Sequence, residues 1–359
     1  MEKTELQAQM LANRLSKKFK HLSKWAKRCG TWAFRLYDRD IPEIPLVLDY
    51  YGDGVSQGAV SGALYNRPYE KDEKEEEAWL EAMRKAVSEA LGINPADIFL
   101  KRRLRQRGGN QYNKQSNRTV VRTVNENGLQ FKVNLSDYLD TGFFPDRRLM
   151  RSKIKNEAAG KKVLNLFCYT ATYSVAAAAG GAEASCSVDM SNTYLDWALE
   201  NFRLNKIKTR ITDSRDNNSM LRHSGHQLVR ANVLVFLREA RTARCKWDII
   251  VLDPPAFSNS KKMKAVKTPG KPLPQTLDLK RDHLELIEQC LELLEEGGKL
   301  WFSLNARGFS TDADALETAL KSKFPQVKVL DLTKKLTDED FKGKKIPRTF
   351  LIGSSCEDS

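Results

Sequence analysis

The sequence predicts an α/β fold: an open, mainly parallel sheet with helices on both faces, preceded by a smaller N-terminal α+β unit. Two observations carry this expectation. From residue 162 onward, short apolar runs alternate with longer amphipathic stretches, whereas the first 150 residues mix helix and hairpin signals without that alternation. A chain of 359 residues also exceeds what one hydrophobic core usually holds, so two domains are expected, 1–150 and 151–359.

In the first unit, residues 6–25 read as an amphipathic helix, with Leu11, Leu15, Leu22 and Trp25 near helical spacing and Gly30 as the stop. β-like runs follow at 46–51 and 55–60. A second helix is expected over 73–91, closed by Gly92, and the acidic run 72–77 suits its N-terminal dipole. Runs at 118–124 and 129–135 flank Asn125-Glu126-Asn127-Gly128, a hairpin signal. The second unit is expected to begin near Arg151. Its strands fall at 163–167, 184–189, 226–232, 247–252, 299–304 and 349–353, and its helices at 173–179, 191–205, 233–243, 281–294 and 312–324. Apolar strands separated by helices must be covered on both faces, which makes the sheet parallel. No internal repeat is visible; 213–225 reads as an irregular surface insertion and 261–274 as a basic, proline-bearing loop.

Composition narrows the function classes. No apolar run approaches the roughly 18 residues that cross a bilayer, and the start of the chain lacks the apolar core of a secretory signal. The six cysteines are scattered without C-x-x-C spacing, so reduced thiols in a cytoplasm fit better than disulfides, and no metal site is expected. Sixty Lys and Arg against 46 Asp and Glu leave a net charge of +14, an excess that attracts polyanions through counterion release. The basic residues cluster on the first helix, in Lys101, Arg102, Arg103, Arg105, Arg107 and Lys114, and in a third group that includes Lys261 and Lys262. RNA or DNA leads as partner; a basic protein with no such partner is the alternative.

Four polar residues stand at the expected strand ends. The first strand-to-helix junction runs Asn165-Leu166-Phe167-Cys168-Tyr169-Thr170. It lacks the G-x-G-x-x-G of a dinucleotide site but supplies free N–H groups at a helix start. Strand two ends in Asp189-Met190, where a carboxylate can accept from both hydroxyls of a ribose or can cap the next helix. Strand three ends at Asn232-Val233, where an amide can read an adenine edge or serve as a helix cap. Strand four runs into Asp253-Pro254-Pro255-Ala256-Phe257, the sharpest signal in the chain. Two prolines make that loop rigid and direct its carbonyls outward, so Asp253 can orient a flat base while Phe257 stacks on it.

This ordered series, with an Asp-Pro-Pro-aromatic ending, resembles the class I S-adenosylmethionine-dependent methyltransferases that act on base nitrogens. The segments GNQYNK (109–114), LSDYLDTGFFPDRR (135–148), LNLFCYT (164–170), LDPPAFSNSKK (252–262), LKRDHLELI (279–287) and FSLNARGF (302–309) are similar to RlmK-type enzymes, the C-terminal half of a bacterial fusion that methylates N7 of a guanine in 23S ribosomal RNA. The resemblance implies a Rossmann-like fold and S-adenosylmethionine as cofactor. It also implies cofactor contacts by Asn165, Phe167, Cys168, Tyr169, Thr170, Asp189, Met190, Asn232, Val233 and Asp253, with the loop Phe144, Asp146 and Arg148 closing over it. Relatives commonly carry Asp where this chain has Asn232. A sister group methylates C5 of cytosine through a cysteine, but this chain has Ala256 and Ser303-Leu304-Asn305 at the two places where that thiolate would stand.

The expected catalytic set is Asp253, Pro254, Pro255, Phe257 and Asn305, with Arg307 as a further edge contact. Guanine N7 has a lone pair and no proton, so positioning rather than a general base does the work. Ribosomal RNA of the large subunit, or its precursor, is the implied partner. Methylation of an exocyclic amine (guanine N2 or adenine N6) and a non-catalytic RNA chaperone or unwinding module on the same fold remain alternatives.

Overall fold

The computed structural model describes residues 2–56, 58–65, 72–102, 119–138, 140–213, 225–258, 276–305 and 308–354. They form two compact units: residues 1–145 with 339–344, and 146–338 with 345–359. The division falls at Pro145/Asp146, five residues before the expected boundary, because the chain already turns in a 3₁₀ segment, Pro145–Arg147, before the next helix.

The first unit opens with α1 (Lys3–Cys29), whose buried Leu11, Leu15, Leu22 and Trp25 make one face and whose end is closed by Gly30 in the left-handed region. Strands β1 (Ala33–Asp38), β2 (Leu46–Tyr51) and β3 (Ala59–Leu64) are antiparallel neighbours. Helix α2 (Glu73–Leu91) is the crossover to β4 (Ile98–Arg102), which pairs parallel to β3 as an edge strand. Trp79 of α2, 1% exposed, donates its indole N–H to Gln7 of α1 at 2.7 Å, so the polar end of this aromatic anchor is satisfied inside the core. Strands β5 (Val121–Glu126) and β6 (Leu129–Asn134) form the expected hairpin, with Asn127 and Gly128 both at positive φ, as a two-residue turn of this kind requires.

One buried ion cluster ties residues 339–344 into this unit. Asp40, with its side chain 4% exposed, accepts from Arg14 at 2.9 Å, Lys18 at 3.1 Å and Lys344. Burial alone would raise its pKa, but Lys344, Lys18 and Arg14 outweigh it and bring the carboxyl down to about 2.

The second unit starts with α3 (Arg148–Glu157) and alternates β7 (Lys162–Leu166), α4 (Thr172–Ala179), β8 (Ala184–Asp189), α5 (Asn192–Leu204), β9 (Thr209–Asp213), β10 (Gly225–Arg230), α6 (Val233–Thr242) and β11 (Trp247–Leu252). A short pair, β12 (Phe257–Ser258) and β13 (Leu277–Asp278), leads to α7 (Leu279–Leu291), β14 (Leu294–Leu304), α8 (Ala313–Lys321), β15 (Lys328–Asp331) and β16 (Arg348–Gly353). The eight-stranded sheet has the order β15-β16-β14-β11-β7-β8-β10-β9, parallel except at β16, which runs against both of its neighbours. This is the mainly parallel α/β sheet that the alternation predicts, in the Rossmann-like form that the resemblance implies. Strands β1, β4, β9, β12, β13 and β15 are additions to the sequence reading, and the run expected at 55–60 forms its strand at 59–64; the expected insertion begins inside β9, and residues 214–224 lie outside the described set. Glycine also limits the packing of this layer: a Cβ on Gly180 would stand 1.9 Å from the backbone oxygen of Lys155, so the end of α4 approaches α3 through a residue with no side chain. Among the described residues no helix is long and apolar enough to cross a membrane.

The Asp40 cluster makes a pH prediction. With a folded pKa of about 2, below that of an unfolded aspartate, its stabilisation is complete above the unfolded value and is lost as pH falls through the folded one. Thermal melts should therefore show Asp40→Asn lowering stability by roughly 2 kcal/mol at pH 7, with the gap from wild type closing toward pH 2.

Candidate nucleotide site at the strand ends

Register fixes the site. Val229, Val188, Leu166, Leu252 and Phe302 are level with one another across β10, β8, β7, β11 and β14, and all five are fully buried. The residues one step further, Asp189 and Asp253 among them, therefore emerge together at the carboxyl rim, where open α/β sheets bind ligands.

Asp189 is half-buried and pinned from two sides. Its Oδ2 accepts the backbone N–H of Tyr169 at 3.1 Å and its Oδ1 that of Ser191 at 2.9 Å. Ser191, not Asp189, caps α5, so the capping alternative for Asp189 falls away. The β7–α4 loop is conformationally unusual: Phe167, Tyr169 and Ala171 all have positive φ, a region that costs non-glycine residues energy and persists only where surroundings impose it. Asn201, fully buried on α5, helps impose it by donating to the carbonyl of Thr170 at 2.9 Å. Ala171, the N-cap of α4, offers no side-chain acceptor, so the first N–H groups of that helix have no side-chain cap. Phe167 and Met190, both half-buried, lie against the core at the same rim.

Several expected cofactor residues stand elsewhere. Asn165, level with Ser187, lies two residues below the rim row; it is 1% exposed and donates to Ser174 at 2.9 Å, which in turn accepts from Ser187 at 2.7 Å. Its amide is held in that buried polar group against Ser174 of α4, so it braces the layer between β7 and α4 and does not line the rim. Cys168, 4% exposed, and Thr170, fully buried, also point inward; burial pushes the Cys168 thiol well above its ordinary pKa, reinforced by Asp189. Asn232 caps α6, accepting from Leu234 N at 2.9 Å, and Val233 is 3% exposed in the core. The Asn232 side-chain N–H₂ is left to donate.

The Asp253 loop shows what the sequence did not: a buried guanidinium. Arg147 grips Asp253 with both arms, Nε to Oδ2 at 3.0 Å and Nη2 to Oδ1 at 2.9 Å, and the Tyr173 hydroxyl donates to Oδ2 at 3.3 Å. Burial opposes the Arg147 charge, but Asp253, then Tyr173 and Asp146, hold its pKa above the ordinary guanidinium value. Burial pushes the Tyr173 phenol well above its ordinary pKa, with Asp253 adding to the effect. Arg148, the expected ligand contact, is 2% exposed and turns instead to Asp338 at 2.7 Å. Spacing alone does not say which of two adjacent arginines faces the rim; the helix start at Arg148 decides it. Pro254 is buried, Pro255 exposed, and Phe257 stands 56% exposed. Asn305, exposed, follows the last residue of β14, the strand beside β11. Phe144, 42% exposed, belongs to the first unit and Asp146 to the second.

The basic patch needs correction. Lys101 is 9% exposed, and its ammonium donates to the carbonyl of Tyr138; burial, against Asp140 and Asp137, brings its pKa down to about 8. Arg102 is held by Glu73 at 3.4 Å and Glu77 at 3.1 Å. Both side chains are committed within the first unit, because residues 98–102 form a strand and not an open basic loop. Arg103, Arg105, Arg107, Lys114, Lys261, Lys262 and Arg307 lie outside the described residues.

A half-buried carboxylate at the rim, a helix start without a side-chain cap, flat half-buried side chains and a spare amide donor together fit a nucleoside carrying an anionic tail. Comparison with known proteins agrees. The pattern of the S-adenosylmethionine-dependent methyltransferases matches residues 48–333. Ribosomal RNA large subunit methyltransferase K of Neisseria meningitidis serogroup B is 44% identical over 341 residues, covering 95% of this chain and 86% of that protein. The K/L enzyme of Hahella chejuensis is 44% identical over 307 residues, 86% of this chain but 38% of that longer protein. A crystal structure of SMU.776, a methyltransferase complexed with SAH, superimposes with a TM-score of 0.66 at 25% identity, covering 96% of this chain and 81% of that one.

Two measurements test the assigned places. Asp189→Ala should weaken calorimetric binding of the methyl donor by roughly 10- to 150-fold, the loss of charge-assisted hydrogen bonds to two hydroxyls; unchanged affinity would remove Asp189 from the site. Lys101→Met should leave the salt dependence of RNA binding unchanged while lowering the melting temperature, the opposite of what a surface phosphate contact does.

Proposed function

This chain belongs to the S-adenosylmethionine-dependent methyltransferase family, and from that premise we propose that it methylates a base nitrogen of large-subunit ribosomal RNA, namely N7 of a guanine. The relatives' names supply the RNA class. The observation that carries the reading is the loop after β11, where an exposed aromatic ring, Phe257, follows a proline pair and a carboxylate already held by Arg147 and Tyr173.

The cofactor supplies a methyl group on a positively charged sulfur. Asp189 holds its ribose, the N–H groups opening α4 take its carboxylate, the Asn232 amide meets the adenine edge, and Phe167 and Met190 flank the ring. Phe257 stacks on the target base, which must leave its helix to be reached, while Asp253, the Pro254-Pro255 carbonyls and Asn305 orient its edge. Holding the reacting atoms in line contributes roughly 7–11 kcal/mol without any proton transfer.

Three of the four lone-pair positions of Asp253 are filled by Arg147 and Tyr173. One remains to orient a base. An amine must shed a proton on methylation and N7 sheds none, so a carboxylate already engaged by three donors suits N7, which asks only for orientation. The residues Arg103, Arg105, Arg107, Lys114, Lys261 and Lys262 serve as phosphate contacts in this reading, and its place of action is the cytoplasm.

Large-subunit RNA transcribed in vitro, incubated with the protein and labelled donor, then digested to nucleosides, should yield 7-methylguanosine. The maximal rate should vary little between pH about 6 and 9, because no group must lose a proton. Phe257→Ala should raise KM for RNA roughly 5- to 100-fold with donor affinity intact. Label on an exocyclic amine would overturn the N7 assignment, and transfer to no RNA would overturn the substrate class.

A further inference from the structure

The first turn of α7 is fastened directly onto the Asp253-Pro254-Pro255-Phe257 loop. Phe257 and Asp278 are opposite one another in the β12–β13 pair, and the backbone N–H of Leu279 donates to the carbonyl of Ala256 at 3.1 Å. The same helix holds the segment after Asn305: His283, buried, meets the Phe309 ring edge-on at 4.8 Å. Between these two attachments stands Lys280. Its ammonium lies 3.2 Å from the point that a Cβ on Gly308 would occupy, so the absence of a side chain there leaves room for it.

The carboxylates beside Lys280 are turned to groups other than its ammonium. Asp278 turns Oδ1 to the backbone N–H of Lys280 at 3.0 Å as the helix cap. Asp282 is engaged by both arms of Arg281, at 2.6 and 2.8 Å, and by the backbone of Asp278 at 2.9 Å. Arg281 is thereby neutralised, whereas Lys280 is exposed and makes no ion pair among the described residues. An exposed ammonium that makes no ion pair among the described residues, on the helix turn fastened to the Phe257 loop, is placed for an anion carried by a nucleotide on that ring.

We propose that Lys280 binds the backbone phosphate of the RNA nucleotide whose base stacks on Phe257, and so is a positioning residue for the target strand. This rests on the RNA-methylating reading above. Stacking fixes the plane of the base but leaves it free to slide and rotate on the ring; one phosphate contact from the adjoining helix turn removes that freedom.

The test compares wild type, Lys280→Ala and Lys280→Arg in methyl transfer to large-subunit RNA across a salt series. It also measures binding of the same RNA without donor, and calorimetry of the donor alone. Lys280→Ala should raise KM about tenfold with kcat within about twofold of wild type, and should flatten the slope of log affinity against log salt by about 0.7, the value for one phosphate of a single strand. Lys280→Arg should restore both, and donor affinity should not move in either variant. An unchanged slope and KM in Lys280→Ala would overturn the proposal, as would a slope change that arginine fails to rescue. If wild type transfers no methyl group, the functional reading fails, yet the donor-free slope still decides the role of Lys280.

Discussion

The bidentate pair between Arg147 and Asp253 constrains the chemistry of this protein more than any other contact. A guanidinium with so little exposure is tolerable only if a carboxylate meets it, and removing either partner strands a buried charge at a cost of about 3–5 kcal/mol. The pair fixes the carboxylate at the tip of β11, and the prolines that follow carry this fixed geometry outward to Phe257. Tyr173, from the helix opened by the β7–α4 loop, completes the arrangement. One hydrogen-bonded cluster thus joins the segment before α3, the start of α4 and the loop after β11.

Beneath that cluster the sheet acts as a ruler. Parallel strands in register bring one buried residue from each of five strands to the same height, and the next residue of each comes out at the rim. Depth below the rim changes the role of a side chain completely. Asp189 and Asp253 stand at the rim, while Asn165, two steps lower, joins Ser174 and Ser187 in a buried polar trio. Its position near a strand end was legible in the sequence; its depth was not, because that depends on where the strand stops.

Charge shows a similar division. The excess of basic residues and their clustering are plain from composition, and they identify a polyanion as the partner class. Which cations are available is a different question. Lys101, Arg102, Arg14 and Lys18 are drawn into contacts with carbonyls and carboxylates distant in sequence, such as Tyr138, Glu73 and Asp40. Lys280 lies in no conspicuous basic run, yet it is exposed and makes no ion pair among the described residues.

What the sequence determined by itself was the alternation of strands and helices, the hairpin at Asn127-Gly128, the polar residues at the strand ends and the Asp-Pro-Pro-Phe loop. All of these are local: periodicity, turn chemistry and proline stiffness act within a few residues. Tertiary structure decided which of Arg147 and Arg148 meets Asp253, that Asn165 and Lys101 are inward, and that Asn232 caps a helix while keeping a donor free. Those outcomes depend on partners far along the chain, and only folding brings such partners within hydrogen-bond reach.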